Sequence, residues 1–375
     1  MYLKKLSIIN FKNYAEANLE FSEKINCFVG NNGAGKTNLL DAIHYLSFTK
    51  SYFNTVDVQN IRHEADFFAL QGEYLRNGSP PEQLSCIQKR NFKKVFKLNK
   101  KEHERLANHI GLYPLVMVSP YDYDLINDGS ELRRKFIDSV ISQFDRVYLD
   151  DLIHYNKVLA HRNALLKQFA DENYFDISML GILNDQLTPS GYRLFEKRKT
   201  FLNDFCPIFN HYYGLITGEK EDVSIAYISH LLNEDFGQTL IASLERDKAL
   251  RYTTSGIHKD DLDFRINGFP LKKYGSQGQQ KSYMIAIKLA QFEFTRLKVG
   301  FKPVLLFDDI FDKLDSLRVE KLVKLVSNDS FGQVFITDTQ LERIDQIFRS
   351  INIAHKVYSV IEGTVSEMKP GKQAL

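Results

Sequence analysis

Residues 30–37 read GNNGAGKT and match the glycine-rich turn with which P-loop proteins wrap the phosphates of a nucleotide. Gly33 and Gly35 let backbone N–H groups approach the phosphates, while Lys36 places a positive charge beside the β and γ oxygens. The Thr37 hydroxyl is then placed to reach Mg²⁺. The stretch predicts ATP or GTP binding by these residues: Gly30, Asn31, Asn32, Gly33, Ala34, Gly35, Lys36, Thr37 and Asn38.

The flanking residues supply the strand and the helix that a P-loop requires. Residues 25–29 form an apolar run that is typical of a buried strand. After Thr37 the apolar residues have helical spacing: Leu39, Leu40, Ile43 and Leu46. A chance glycine-rich turn, the alternative interpretation, does not account for this context.

A second nucleotide motif lies near the other end of the chain. Residues 304–307 are continuously apolar and are followed by Asp308 and Asp309, which predicts a parallel strand with acids at its C-terminal edge. This pattern is a Walker B motif, in which Asp308 would hold Mg²⁺ and Asp309 would orient or deprotonate the attacking water. An isolated match could instead be a turn in which an aspartate caps a helix. Pairing with the P-loop favours the Walker B interpretation.

Residues 274–280, YGSQGQQ, resemble the signature motif of ABC-type ATPases. In that superfamily the motif starts a helix and contacts the γ-phosphate held by the P-loop of a second subunit. The resemblance implies an ATP-dependent dimer in which Ser276 is catalytic in trans and Ser276, Gly278 and Gln279 contact the nucleotide. By itself the pattern is as typical of a polar loop that caps a helix.

Two further segments follow the order of the same superfamily. Leu314 and Asp315 occupy the D-loop position, and residues 333–337 predict a last apolar strand that ends in Thr337, Asp338 and Thr339. Most of the superfamily has histidine at this switch position. Its absence here suggests a slow ATPase.

The composition predicts a soluble intracellular protein, and we expect it to be cytoplasmic. The chain has 375 residues, is 43% hydrophobic and has a net charge of +2, and no apolar stretch is long enough to span a membrane. The N-terminus lacks the apolar region of a signal peptide. Cys27, Cys86 and Cys206 are unclustered and odd in number, which predicts reduced thiols.

The predicted fold is α/β: an ABC-ATPase-type P-loop head with a mixed sheet and helices, interrupted by a helical subdomain and lacking a long coiled coil. The predicted division is residues 1–118 for the N-terminal part of the head with Walker A, 119–215 for the helical subdomain, and 216–375 for the C-terminal part with the signature motif and Walker B. The segment before residue 118 is expected to be rich in strands, including residues 95–98.

The helical subdomain is predicted from apolar residues three and four apart. This spacing predicts helices over residues 133–144, 147–169 and 187–213. The predicted helix breaks are Gly181, Pro189 and Gly191.

Several segments outside the shared ATPase motifs resemble the bacterial RecF family over nearly the whole chain. The first family signature is matched by Pro120, Asp122, Leu125, Ile126, Gly129, Arg133, Arg134, Phe136 and Asp138, with departures at Tyr121, Asp128 and Ser130. The second is matched by Tyr155, Leu159, Arg162, Asn163, Leu165, Leu166 and Lys167, with His161 where glutamine is usual. Residues 254–262, TSGIHKDDL, are similar to a stretch that generally reads GPHRDDL, with departures at Ile257 and Lys259.

The resemblance implies an ATP-dependent DNA-binding protein of recombinational repair and replication-fork maintenance, with weak ATPase activity, ATP and Mg²⁺ as ligands, and RecO and RecR as partners. An ATP-bound, head-to-tail homodimer would clamp double-stranded DNA near single-strand junctions and help to load RecA. Slow hydrolysis would release it. The opening INFKNY also matches, so Lys12 and Asn13 are expected near the nucleotide. The alternative for Lys12 is a solvated hairpin residue.

A basic stretch is the candidate DNA-binding surface, with Phe92 and Phe96 interleaved among its cations. These cations are Lys89, Arg90, Lys93, Lys94, Lys97, Lys100 and Lys101. Such a face would attract phosphates without reading bases. A charge run of this kind is more often a solvated strand edge that discourages pairing with another edge. Arg133, Arg134 and Arg162 could likewise meet phosphates or pair with acids.

Two other classes of protein compete with this interpretation. An ABC transporter's ATPase subunit would couple to membrane helices, for which the sequence has no hydrophobic span. A nuclease would need a separate metal centre built from several acids, and no domain remains to hold one.

Overall fold

The computed structural model describes residues 1–76, 78–172, 174–218, 221–310, 319, 321–322, 324–325, 330–341 and 354–368. The predicted D-loop, Leu314 and Asp315, lies outside the described residues. By packing, the chain divides into two units, of which the first comprises residues 1–122 with 287–375 and the second comprises residues 123–286. Residues 216–286, assigned to the head from sequence, pack with the helices of the second unit.

The strands, in chain order, are β1 (Tyr2–Phe11), β2 (Tyr14–Glu20), β3 (Ile25–Val29), β4 (Phe67–Leu75), β5 (Glu82–Lys89), β6 (Val95–Leu98), β7 (Lys101–Glu102), β8 (Leu115–Val118), β9 (Val223–Ile228), β10 (Asp261–Ile266), β11 (Phe269–Pro270), β12 (Val304–Phe307), β13 (Val334–Asp338), β14 (His355–Ile361) and β15 (Thr364–Met368). The α-helices whose bounds lie within the described residues are α1 (Lys36–Phe48), α2 (Asp124–Asn127), α3 (Ser130–Ser142), α4 (Arg146–Glu172), α5 (Ile177–Thr217), α6 (Phe236–Ala242), α7 (Leu244–Leu250), α8 (Leu271–Tyr274) and α9 (Gln277–Val299). Short 3₁₀ helices cover Asp57–Asn60, Leu106–Asn108, Pro120–Tyr123, His230–Leu232 and Ile257–Lys259.

The first unit contains two six-stranded sheets. One is antiparallel, with the order β2-β1-β4-β5-β6-β7. The other has the order β15-β14-β3-β13-β12-β8, in which β15 is antiparallel and the other five strands are parallel. The predicted strands at residues 25–29, 95–98 and 304–307 are therefore confirmed. The strand predicted at 333–337 begins and ends one residue later.

Helix α1 contacts strands of both sheets, and the main core of the first unit surrounds it. Aromatic side chains fill this core, and Phe11, Tyr45 and Phe68 meet edge to face with ring centroids 5.2 to 6.0 Å apart. Burial on both sides explains why α1 has an almost continuously buried sequence and only a weak polar face.

The second unit is helical with a small antiparallel sheet of order β11-β10-β9. Helices α4 and α5 pack antiparallel, since Asp151 binds Arg193 while Arg162 binds Asn184. The strands β9 and β10 pack on α5 and α3, which is why residues 216–286 belong with the helices.

The predicted helix breaks at Gly181, Pro189 and Gly191 are wrong, because α5 runs through all three residues. Proline lacks the backbone donor that would bind the carbonyl four residues earlier, so α5 continues through Pro189 with one intrahelical hydrogen bond fewer. At Gly191 an added Cβ would lie 2.4 Å from the Phe236 ring, so the glycine serves close packing. Among the described helices, none is long and apolar enough to cross a membrane.

Candidate nucleotide site

The carboxyl ends of the parallel strands meet at one edge of the sheet, and the predicted nucleotide residues of the first unit gather there. The P-loop follows β3, while Asp308 and Asp309 follow β12, two strands away. Between them β13 ends in Thr337 and Asp338. This edge is where parallel α/β sheets bind ligands.

The P-loop has the backbone conformation that phosphate binding requires. Gly33 and Gly35 have φ values of +80° and +116°, which only glycine adopts readily. Lys36 is buried, and its Nζ donates to the carbonyls of Gly30 at 2.9 Å and Asn31 at 3.2 Å. The ammonium therefore lies within the loop. Residues 31–33 form the exposed rim, and α1 presents its unpaired N-terminal N–H groups to the same space.

The turn between β1 and β2 braces the P-loop from one side. Asn13 Nδ2 donates to the Ala34 carbonyl at 3.1 Å and Asn13 Oδ1 accepts from Asn38 Nδ2 at 2.7 Å. The hydroxyl of Tyr14 donates to the Gly35 carbonyl at 3.0 Å. The packing is tight, since a Cβ on Gly35 would lie 2.4 Å from Asn13 Nδ2.

The turn between β14 and β15 braces the same loop from the other side. The backbone N–H of Gly363 donates to the Ala34 carbonyl at 3.0 Å. A Cβ on Gly30 would lie 2.2 Å from the Val360 carbonyl oxygen, so the loop and β14 are in direct contact. Sequence reasoning missed this brace, because no motif marks the β14–β15 turn.

A hydrogen-bond network joins the P-loop to the acidic strand end. Thr37 Oγ1 and Thr337 Oγ1 each donate to Asp308 Oδ1 at 2.9 Å. Burial raises the pKa of Asp308 to about 6, and the neighbouring Asp309 carboxylate adds to the rise, whereas the two threonine hydrogen bonds oppose it. The hydroxyl oxygen of Thr37 and the carboxylate of Asp308 are hard oxygen ligands of the kind that Mg²⁺ prefers.

Asp309 has a left-handed backbone with φ +44°, which is rare for a residue other than glycine. Its backbone N–H donates to Thr337 Oγ1 at 2.8 Å. The conformation is thus held by the end of β13, and Asp309 is less buried than Asp308.

Lys12 and Asp41 form a buried ion pair behind the P-loop helix. The Lys12 Nζ lies 2.6 Å from Asp41 Oδ2, and the side chains are 12% and 0% exposed. The alternative interpretation of Lys12, a solvated hairpin residue, is therefore wrong, and its position near the nucleotide stays a prediction. Ser51 Oγ and the Tyr52 backbone N–H also donate to the Asp41 carboxylate, at 2.6 and 2.7 Å.

A second buried ion pair follows β8. Lys288 Nζ lies 2.6 Å from Asp122 Oδ1, and the Tyr52 hydroxyl donates to the same carboxylate. The Ser119 backbone N–H donates to Asp122 Oδ2 at 2.7 Å. Sequence reasoning identified Asp122 as a family position but missed Lys288 and Tyr52, whose partners are far away along the chain.

The signature-like motif lies in the second unit, where Ser276 caps helix α9. Ser276 Oγ accepts from the Gln279 backbone N–H at 3.2 Å, and Gln279 Oε1 accepts from the Ser276 backbone N–H at 2.7 Å. This reciprocal pair is a capping box. Ser276 is exposed, and Gly278 is half-buried in the first turn. In the isolated chain Ser276 therefore acts as a helix cap. The N-terminus of α9 is exposed, and a helix N-terminus is a site at which anions bind.

The family arginines of the second unit pair with acids and carbonyls of the same unit. Arg133 binds the Asp261 carboxylate through two nitrogens at 2.6 and 3.1 Å, and Arg134 donates to the Asp260 carbonyl at 2.7 Å. Arg162 is fully buried with Asp247, at 2.7 Å. These contacts favour the structural interpretation of the three arginines over phosphate binding.

His258 and Asp260 belong to the same buried network. Asp260 binds Arg198 at 3.1 Å, and burial raises the pKa of Asp260. His258 Nε2 donates to the Thr253 carbonyl at 3.0 Å, and burial lowers its pKa to about 4. Tyr155 donates its hydroxyl hydrogen to the other ring nitrogen at 2.9 Å. The TSGIHKDDL segment thus holds the helices and the small sheet of this unit together.

Together these features define the class of an ABC-type ATPase head. They are the mixed sheet, the P-loop linked to Asp308 by Thr37, the helical unit inserted in the chain and the capped helix at Ser276. The family model for AAA ATPase domains matches residues 1–247. A DNA replication and repair protein RecF of Flavobacterium johnsoniae is 53% identical over 360 residues, which cover 96% of this chain and all of that protein.

Solved structures agree with this class. The structure of the recombination mediator protein RecF with ATPrS has a TM-score of 0.88 and 29% identity, and the match covers 98% of each chain. A Smc head domain from Pyrococcus furiosus shares the fold, with a TM-score of 0.57 and 16% identity over 98% of this chain and 96% of that one. The chain belongs to the RecF family.

Proposed function

We propose that this chain is an ATP-driven switch on DNA, a weak ATPase that acts in cytoplasmic recombinational repair and replication-fork maintenance. ATP closes a head-to-tail homodimer that clamps duplex DNA near single-strand gaps and helps to load the RecA recombinase. Slow hydrolysis reopens the dimer. One observation supports this proposal most strongly. The sheet edge at the P-loop has binding groups for the triphosphate of its own subunit, while the exposed N-terminus of α9 at Ser276 is available to the γ-phosphate of a nucleotide bound by a second subunit.

Binding of the triphosphate follows from the loop geometry. Gly33 and Gly35 turn backbone N–H groups toward the phosphates, and the Lys36 ammonium exchanges its carbonyl partners for phosphate oxygens. Thr37 and Asp308 would hold Mg²⁺, which would neutralise charge on the β and γ phosphates. Asn13 and Gly363 keep the loop in shape by binding the Ala34 carbonyl.

Hydrolysis requires a water in line with the γ-phosphate, and Asp309 is placed to orient it or accept its proton. The carboxylate follows the Walker B strand, and its strained backbone is fixed by Thr337. The sequence has Asp338 and Thr339 where related ATPases have a switch histidine. Because the switch histidine that would polarise the γ-phosphate is absent, we infer that ATP turnover is slow.

The N-terminus of α9 is the part of one subunit that would complete the nucleotide site of the other. A helix N-terminus carries about half a positive charge, and the Ser276 hydroxyl and the first N–H groups of the helix add donors. Moving a dimer from mostly open to mostly closed takes about 5.5 kcal/mol. Two triphosphates, each bridging a P-loop and a partner's serine through charge-assisted hydrogen bonds, can supply this amount.

The DNA and protein partners come from the family. The RecF structures similar to this chain are described as recombination mediators in the RecFOR pathway, and we infer that RecO and RecR are partners of this chain as well. The relatives at 53% and 50% identity are DNA replication and repair proteins. The net charge of +2 means that a DNA-binding surface has to be local.

The test is the mass of the protein in solution with ATP, ADP and a non-hydrolysable ATP analogue, measured by light scattering. Wild type should dimerise with ATP and the analogue only. Ser276→Arg should remain monomeric while it binds ATP with wild-type affinity, because its own P-loop is intact. Ser178→Arg, at another exposed serine in the first turn of a long helix, should dimerise normally.

Dimerisation of Ser276→Arg with ATP would contradict the composite site. Monomeric wild-type protein under every nucleotide would contradict the switch itself. If the protein dimerises only with ATP but binds duplex DNA equally well with ATP and with ADP, dimerisation does not control DNA binding and the proposed clamp is wrong.

A further inference from the structure

The turn between β5 and β6 presents an aromatic ring to solvent beside exposed cations. It covers residues 89–94, with the sequence KRNFKK. Phe92 is 70% exposed, the largest exposed fraction among the exposed large hydrophobic residues of the described chain. A ring exposed to this extent offers an open aromatic face on which a planar group can stack.

The turn is built to hold this shape. Gln88 is 4% exposed, and its side-chain amide donates to the carbonyls of Lys89 at 2.6 Å and Phe92 at 2.9 Å. Asn91 has φ +62° at the corner. The Arg90 backbone N–H binds the Asp66 carbonyl at 3.0 Å, which ties the turn to the start of β4. Phe92 is therefore held outward by a fixed backbone.

The structure separates the cations of the basic stretch into two groups. The Lys94 side chain is only 8% exposed and lies 2.7 Å from Asp57, and Phe96 is 1% exposed in the core, so neither residue faces a partner. Lys89, Arg90 and Lys93 are exposed, and in the described part of the chain no carboxylate lies within 4 Å of their charged groups. The Arg90 guanidinium donates to the Ala65 carbonyl at 3.1 Å.

We infer that the exposed part of this turn, residues 89–93, is a nucleic-acid contact that recognises unpaired bases beside a duplex. An exposed ring can stack on a base only where a base face is open, at a single strand or at its junction with a duplex. Three uncompensated cations around the ring attract backbone phosphates of either strand form. The inference rests on the proposed DNA-binding function and adds the residues that read the junction.

The experiment measures binding of labelled DNA by fluorescence anisotropy with the non-hydrolysable ATP analogue at two salt concentrations. The probes are a gapped duplex, a fully paired duplex and a single strand of equal length. Wild type should prefer the gapped duplex. Phe92→Ala should lose about five- to hundredfold affinity for the gapped duplex and less than about twofold for the paired duplex. Phe92→Tyr, which keeps the ring, should retain the preference.

Lys93→Gln should weaken binding to all three probes and reduce the slope against salt by about 0.7 to 0.9, because one phosphate contact is lost. The matched control is Lys5→Gln. Lys5 is exposed on the same sheet, but Glu20 and Glu73 are its cross-strand neighbours, so its loss should leave binding unchanged.

If Phe92→Ala keeps the wild-type preference, the ring serves a different partner, such as a protein, and the inference is wrong while DNA binding stands. The same conclusion follows if wild type binds gapped and paired duplexes equally. If wild type binds none of the probes, the proposed function fails together with the inference.

Discussion

Gly363 illustrates how one residue outside every motif shapes the nucleotide site. Its backbone N–H binds the Ala34 carbonyl, and its φ of +77° turns the chain close against the β1–β2 turn. An added Cβ would lie 2.7 Å from the Asn13 carbonyl oxygen, a backbone atom that cannot move alone. The P-loop therefore depends on a turn more than 320 residues away along the chain.

Gly363→Ala should lower ATP affinity by about tenfold, because the displaced turn loosens the brace on the P-loop, worth about one hydrogen bond. The measurement is titration calorimetry with the ATP analogue. Gly78→Ala is the control, since Gly78 has the same φ of +77° but open space around its Cβ position. Equal ATP affinity in both variants would show that the brace has no role in binding.

Asp309→Asn should bind ATP normally and hydrolyse it about a hundred- to ten-thousandfold more slowly, because an amide cannot accept a proton from water. The ATP dimer should then persist. Release of phosphate and light scattering measure the two effects. Lys36→Met is the contrasting variant and should bind no nucleotide. A wild-type hydrolysis rate in Asp309→Asn would remove this carboxylate from the chemistry.

At the scale of elements, helix α5 shows packing overriding local propensity. Its sequence includes two prolines and several glycines, yet it continues for 41 residues. Gly191 is buried where the helix meets Phe236 and Tyr155, whereas Gly181 has nothing within 4 Å of its Cβ position. The two glycines therefore differ: packing requires the absence of a side chain at Gly191, whereas nothing in the packing requires it at Gly181.

Gly191→Ala should lower the free energy of unfolding by about 1 to 3 kcal/mol, because the new methyl group overlaps the Phe236 ring. Gly181→Ala should raise it by about 0.5 to 1 kcal/mol, since alanine is the better helix former and space is open. Urea unfolding followed by circular dichroism measures both. If both variants change the free energy of unfolding in the same direction, the different roles of Gly191 and Gly181 are wrong.

At the scale of the whole molecule, buried histidines couple folding to pH. His44, His109 and His258 each donate to a backbone carbonyl, and burial lowers the pKa of each to about 4. The unfolded chain has histidine pKa values of about 6.5. Between pH 6.5 and 4 the unfolded state therefore binds more protons than the folded state, and stability falls as pH falls.

The free energy of unfolding should decrease on acidification by at most about 1.4 kcal/mol per pH unit for each histidine. Asp308 works in the opposite direction, because its raised pKa lets the folded state take up a proton first. His258→Gln should therefore have a shallower dependence than wild type between pH 6.5 and 4 in urea unfolding. An unchanged slope would show that His258 titrates normally in the folded chain.

The sequence by itself determined the P-loop, the Walker B strand with Asp308 and Asp309, the helix start at Ser276 and the family. These features are local: each depends on residues within about ten positions, so short-range spacing and backbone preference encode them. Helices within residues 133–144, 147–169 and 187–213 were also predicted, apart from the continuity of α5 through Gly181, Pro189 and Gly191.

Only the tertiary structure decided what the remaining charged residues do. Arg133 pairs with Asp261, Arg162 with Asp247 and Lys12 with Asp41, and in each case the charge alone was compatible with a phosphate contact. Their partners lie on other elements, and a buried charge takes whichever partner the packing brings to it. The brace at Gly363 and the outward ring of Phe92 depend in the same way on contacts that no local pattern specifies.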